Sequence, residues 1–311
     1  MSSHREEHLN IFQSINFEQI KDHPNILIAA HFWEEDRYGA AKTCYKFMRT
    51  IDDLIDNYKA KHAMIAESER NQFETDVNHW INLVLEKTND DPLQKQLIDT
   101  LERFQIPLWP MESFAKSMIY DIHHDGFASL QDFMEYAGGA SVAPASIFVH
   151  LCGIHRQDDH YSVPAFDLKK ASTPCAVFSY LVHIIRDFQK DQLNNLTYFA
   201  DDLIAKYGLT RNDLKEMALG GTVRQGFREL IREYYAVADE YRRKTYEAIN
   251  DIWPFLTPRY QLSLEIIFNL YLMVFERIDI EHGNFTEKEL NPTAEEIKER
   301  VFKTIMETKT A

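Results

Sequence analysis

Apolar residues recur at helical spacing along almost the whole chain, and no segment alternates convincingly as a half-buried strand would. Ten glycines and ten prolines in 311 residues are too sparse for a turn-dense β fold. The pattern predicts helices over roughly 35–59, 65–87, 92–104, 110–124, 129–154, 165–192, 222–250 and 258–281. Breaks are expected at Asp90-Asp91-Pro92, Ile106-Pro107, Tyr161-Ser162-Val163-Pro164 and Trp253-Pro254. Several of these helices exceed twenty residues, so the expected fold class is all-α, a single bundle rather than two domains. With 45% of its residues apolar and 13% aromatic, the chain can bury a sizeable core.

Residues 1–283 are expected to form the body, and 284–311 a polar connector followed by a C-terminal amphipathic helix. Thr293-Ala294-Glu295-Glu296 reads as a capping box, and Ile297, Val301, Phe302, Ile305 and Met306 form one stripe behind it. That stripe is expected to pack on the body, the alternative being a partner or membrane-surface helix.

A net charge of −15 argues against a general phosphate-backbone binder, so no nucleic-acid partner is expected. Cys44, Cys152 and Cys175 are widely spaced in apolar contexts, with no CxxC and hence neither a disulfide framework nor a zinc site. The start, MSSHREEHLN, lacks an apolar stretch behind a basic end, so no signal peptide is read. The longest run free of Asp, Glu, Lys and Arg, 137–155, contains a Gly pair and Pro144 and reads as a buried helix rather than a membrane span. A cytoplasmic protein is expected. The glycine-bearing stretches are not a dinucleotide fingerprint, His123-His124 reads as a surface pair, and Arg232-Glu233-Tyr234-Tyr235 as a packed helix.

Two stripes carry chemistry. At about 100° per residue, Tyr45, Arg49, Asp52 and Asp56 share one narrow helix face, while Phe47, Met48, Ile51, Leu54, Ile55 and Tyr58 lie nearly opposite. Taken alone, that is an ordinary amphipathic helix with its acids in water. In the second stripe Tyr180, His183, Asp187 and Asp191 line the edge of a broad apolar arc, with Arg186 and Lys190 on the other side. Asp187, flanked around the helix by Ile184 and Phe188, is expected to be desolvated, and both acids sit late in a helix where the macrodipole disfavours them. The alternatives are a structural salt-bridge network and a metal site. Mg²⁺ takes one or two protein carboxylates, water and substrate phosphate oxygens. If the two pairs face each other, metal between them could hold a diphosphate while helices wall an apolar tail.

At these residues the chain resembles the squalene/phytoene synthase family over roughly 22–282. CYKFMRTIDDLID matches the first family motif through Tyr45, Arg49, Asp52, Asp53 and Asp56; HIIRDFQKDQLNNLTYF matches the second through Arg186, Asp187, Asp191 and Tyr198. MIYDIHHDGFASLQDFMEYAGGASVAPASIFVHLCG, with an acid at Asp121 and a small-residue break near Gly138-Gly139, resembles the central helix pair, and RYQLSLEIIFNLYLMVFERID the penultimate helix.

The resemblance implies an isoprenoid-synthase-type bundle around a central cavity. It further implies head-to-head condensation of two prenyl diphosphates, farnesyl or geranylgeranyl, through a cyclopropyl intermediate. It assigns metal binding (Mg²⁺ or Mn²⁺) to Asp52, Asp56, Asp187 and Asp191, puts Tyr45 in the catalytic site, and offers Arg49, Arg186, Asp53, His183 and Tyr198 as substrate contacts. Peripheral membrane association for product release is compatible with it. Nothing in the residues bears on a reductive step with NADPH or on oligomeric state. The chain also departs from the family: Tyr180 and His183 stand where Gln and Asn are usual, Lys190 where an acid is, Leu196 where an Arg is, and Gly126-Phe127 where an Arg-Tyr pair is. His23-Pro24-Asn25-Ile26 matches the N-terminal His-containing motif loosely. Imidazole is a poor Mg²⁺ ligand, so the carboxylates persist while part of the phosphate grip does not. Two other readings therefore stand beside condensation. One is an enzyme ionising a single prenyl diphosphate towards another acceptor; the other is a non-catalytic relative used for binding or assembly.

Overall fold

Hydroxyl caps and prolines set several of the helix starts. Ser129 with Asp132, Thr210 with Asp213 and Thr293 with Glu296 each close a capping box, and Pro110 and Pro258 occupy first-turn positions where a missing N–H is harmless. The computed structural model describes residues 3–19, 24–62, 64–87, 92–158 and 160–308. His23, Asp90 and Asp91 lie outside them. In order the helices are α1 (Ser3–Ser14), α2 (Pro24–Ala30), α3 (Glu35–His62), α4 (Glu67–Leu85), α5 (Pro92–Arg103), α6 (Trp109–His123), α7 (Leu130–Ala137) and α8 (Ala143–Gly153). After a short hairpin follow α9 (Leu168–Arg186), α10 (Phe188–Leu193), α11 (Asp201–Lys206), α12 (Arg211–Ala218), α13 (Gln225–Ile252), α14 (Pro258–Phe275), α15 (Glu287–Leu290) and α16 (Ala294–Glu307).

The all-α expectation holds, with corrections of detail. The stretch read as one helix over 129–154 is α7 and α8 joined by a π-helical turn, Gly138–Val142. A Cβ on Gly139 would fall 2.1 Å from the Ser113 carbonyl oxygen and 2.2 Å from Ser117 Oγ, so the absent side chain lets this turn lie directly on α6. The stretch over 165–192 breaks at Asp187, which ends α9 and precedes α10. The helix read to 281 ends at Phe275. Strands β1 (His155–Gln157) and β2 (His160–Ser162) pair antiparallel where none was expected, three residues being too short to display alternation. Short helices α1, α2, α11, α12 and α15 were also not anticipated. Of the C-terminal stripe, Val301 and Ile305 are buried in the core while Phe302 and Met306 are exposed.

Buried side chains form two clusters. One is built largely from α2 to α6, α8 and α14, the other from α7, α9 to α13 and the end of α14. Ile249 on α13 and Tyr271 on α14 pack against both, and both also line the central cavity, which therefore sits where the clusters meet. No helix among the described residues is long and apolar enough to cross a membrane.

Candidate active site

The cavity encloses about 810 Å³, within the usual range for a small-molecule site. Tyr45, Arg49, Asp52, Asp53 and Asp56 of α3 line it, as do His183 and Arg186 of α9, Asp187, Asp191 of α10, and Tyr198 beyond α10. Every residue singled out in the two stripes thus meets in one place. Helix α3 is not oriented as an ordinary amphipathic helix: Leu54, assigned to its apolar face, is 41% exposed, while Asp52 and Asp56 turn to the cavity. Arg186 and Lys190 also line the cavity, although the helical wheel put them on the other side. The chain leaves helical geometry at Asp187 (φ −93°, ψ 8°), and the Arg186 side chain curls back on the carboxylate beside it. Ile26 lines the cavity too, whereas Ala30 is buried in the core.

The acids live in different environments. Asp187 is 6% exposed and fully engaged: Arg186 donates from Nε at 2.6 Å and Nη2 at 2.9 Å, and His183 Nε2 lies 2.7 Å from Oδ2. Burial alone would raise its pKa, but His183 and Arg186 prevail and hold it well below the usual carboxylate range. Burial and the adjacent Arg186 push the His183 imidazole below its ordinary value, against the pull of Asp187. Arg49 pairs with Asp52 and Asp53. Asp56 and Asp191 have no ion-pair partner among the described residues. Burial, reinforced by Asp52 and Asp121, lifts Asp56 to about 8; burial and Asp121, opposed by Arg49, lift Asp52 to about 6. Asp191 is pushed well above its ordinary value by burial, by Asp187, and by Asp56 across the cavity. The negative ends of the two motifs therefore feel each other directly.

This excess of carboxylate suits a divalent cation. Among the described residues no three His, Cys, Asp or Glu side chains converge as a self-sufficient metal cage. Mg²⁺ does not require one, since water and substrate phosphate complete its shell. The donor set of Asp52, Asp56 and Asp191 fits that chemistry, whereas His183 does not.

Two nearby polar residues went unnoticed in the stripes: Lys59, which lies outside the cavity lining, and Tyr136, which is part of it. Lys59 continues the α3 series 45, 49, 52, 56 by one more step of three, and that spacing was the available signal. Tyr136 on α7 lines the cavity beside Tyr180, with ring centroids 6.4 Å apart; nothing in its local sequence distinguishes it from a core aromatic.

The chain belongs to the squalene/phytoene synthase family, whose model matches residues 21–295. It is 21% identical over 259 residues to the chloroplastic phytoene synthase of an Oncidium hybrid cultivar, covering 81% of this chain and 58% of that protein. The chain thus spans little more than half the length of that relative. A dehydrosqualene synthase crystal structure superposes with a TM-score of 0.65 at 16% identity, covering 96% of this chain and 99% of the other. The squalene synthase HpnC of Alicyclobacillus acidocaldarius gives 0.59 at 12% identity, covering 86% and 91%. The fold is accordingly the isoprenoid-synthase bundle around a central cavity.

Proposed function

We propose that this protein is a Mg²⁺-dependent prenyltransferase that condenses two prenyl diphosphates head-to-head, with release of diphosphate, to a squalene- or phytoene-type hydrocarbon. One observation carries this: acids from α3 and from the α9–α10 junction open onto a single cavity whose lining also includes Phe114, Phe148, Val149, Ile249, Leu264 and Ile267. Names of its relatives point the same way, a phytoene synthase and a dehydrosqualene synthase among them.

Asp52, Asp56 and Asp191 would hold the metal, which when bound offsets diphosphate charge and favours its departure. Arg49 and Arg186, each steadied by a neighbouring aspartate, would contact phosphate oxygens. Tyr45 lines the site, and the apolar walls would keep water from the allylic cation.

A second reading, ionisation of one prenyl diphosphate towards water or an internal double bond, is favoured by the Asp187 clasp. Both its oxygens are already taken by Arg186 and His183, so the grip on that side is reduced. Incubation with farnesyl or geranylgeranyl diphosphate and Mg²⁺, with diphosphate release measured and products extracted, separates the two. A thirty- or forty-carbon hydrocarbon supports condensation, while a prenyl alcohol or cyclic terpene supports the second reading. No release from either substrate, alongside an active synthase control, overturns both and favours a binding or assembly role.

A further inference from the structure

On the α9–α10 side of the cavity little carboxylate is left for a metal. Asp187 gives both oxygens to Arg186 and His183, and imidazole is a poor Mg²⁺ ligand. Most positive charge around the site is engaged too. Arg49 pairs with Asp52 and Asp53, Arg186 with Asp187, and Lys59, 5% exposed, with Asp121. Two lysines of the lining differ: Lys46 on α3 and Lys190 on α10 are exposed, and neither closes an ion pair among the described residues.

Lys190 is the better placed of the two. Arg186, Lys190 and Asn194, at successive steps of four, all line the cavity, and Asp191 follows Lys190 directly. Its charge reaches the site, opposing the rise at Asp191 and joining Arg186 in lowering His183. An ammonium beside Asp191 repels a divalent cation, so it is a penalty for metal binding and a gain only for an anion. Elsewhere the cations of the family pattern are missing. Leu196 puts an apolar side chain into the lining where an Arg is usual. At Gly126 an added Cβ would fall 2.9 Å from Arg211 Nη2, whose guanidinium is held by Asp125 and Asp201 outside the lining. Positive charge is thus absent from those two places and present at Lys190, where the family pattern has an acid.

We propose that Lys190 is a diphosphate-binding residue: from the α9–α10 side its ammonium donates to phosphate oxygens and neutralises charge that a metal held through Asp187 would otherwise offset. The inference rests on the prenyl diphosphate reading above, and it holds for condensation and for ionisation of a single substrate alike. Lysine suits the task, since its compact charge and three donors ride on a flexible stem that can follow a phosphate at an exposed position. One consequence separates this arrangement from a purely metal-borne grip. Part of the affinity for diphosphate survives removal of the metal, and that part depends on Lys190.

The test is calorimetric titration of the full chain with inorganic diphosphate, in EDTA and in Mg²⁺, for the wild type, Lys190→Gln, Lys190→Arg and Lys190→Glu. Lys42→Gln serves as control: it makes the same charge change on α3, outside the lining, where Lys42 lies over the Tyr38 ring. In EDTA the wild type is expected to bind, and Lys190→Gln to bind about threefold to thirtyfold more weakly. Lys190→Arg should stay within about threefold of the wild type, because the charge-assisted donors remain. Lys190→Glu should bind more weakly than Lys190→Gln, and Lys42→Gln should match the wild type. In Mg²⁺ the order should persist with smaller ratios, since the metal then carries part of the phosphate charge. Three results overturn the inference: Lys190→Gln no weaker than Lys42→Gln, which makes Lys190 a solvated surface charge; Lys190→Glu as tight as the wild type; or a wild type that binds diphosphate only with Mg²⁺ present. Each of these leaves the prenyl diphosphate reading standing. A wild type that binds no diphosphate even in Mg²⁺ removes that reading as well.

Discussion

Asp187 and Asp191 sit four residues apart yet answer to opposite electrostatics. The first is clasped by Arg186 and His183, and the second faces other acids. Asp187→Asn should therefore both impair diphosphate release and destabilise the protein, on the order of 3 kcal/mol by urea denaturation, because it leaves Arg186 buried without its partner. Asp191→Asn should match it in lost release while leaving metal-free stability unchanged or higher. Equal destabilisation by both variants would refute this division of roles. The same contrast governs pH. The folded-state values of Asp52 and Asp56, about 6 and about 8, lie above those of an unfolded chain. Such groups support the fold fully below the unfolded value near pH 4, and that support is lost as pH rises through 6 and then 8. The metal-free protein should thus lose Tm between pH 5 and 8.5, and Mg²⁺ with inorganic diphosphate should raise Tm more at pH 8 than at pH 6. A metal-induced shift independent of pH would count against carboxylate ligation.

At the scale of elements, polar side chains of the cavity gather where helices are interrupted. The α9–α10 break turns Arg186 into the cavity, and the π turn between α7 and α8 brings Tyr136 beside Asp121 on α6. Ser117 Oγ, which donates to the Tyr136 carbonyl at 2.9 Å, fastens that turn. Gly139→Ala should push the turn off α6 and destabilise by about 1–3 kcal/mol. At Gly138, where an added Cβ meets nothing within 4 Å, alanine should be neutral or stabilising by about 0.5–1 kcal/mol. Chemical denaturation of the two single variants checks this, and equal effects would contradict the close approach. The Thr293 capping box was legible beforehand because capping depends on neighbours three residues apart. The break near Gly138-Gly139 was implied by the resemblance although the periodicity runs through it, whereas the interruption at Asp187 was not legible, since Asp187 fits an uninterrupted helical pattern until Arg186 is placed against it.

For the molecule as a whole, the cavity exists because two core clusters meet without closing. Residues 284–308 are tied into both: Phe285 and Leu290 are buried in the second cluster, α16 packs on α14 and α1, and Val301 and Ile305 are buried in the first. Ile305→Ala should cost about 2–5 kcal/mol and lower the midpoint of a single unfolding transition. A separate early transition confined to the C-terminal helix would show instead that this segment folds on its own.

Helical class, the two aspartate-bearing segments and several helix starts were determined by sequence alone, because periodicity, capping and short motifs act over a few neighbouring residues. Whether Asp52 and Asp56 face water or an interior, that Leu54 is the exposed side chain, that Asp187 is clasped while Asp56 and Asp191 confront each other, and that Lys59 is buried against Asp121 were decided only in tertiary structure. Desolvation and Coulomb interaction depend on distances through space, and those distances join α3, α6 and α9–α10 across gaps of more than sixty residues.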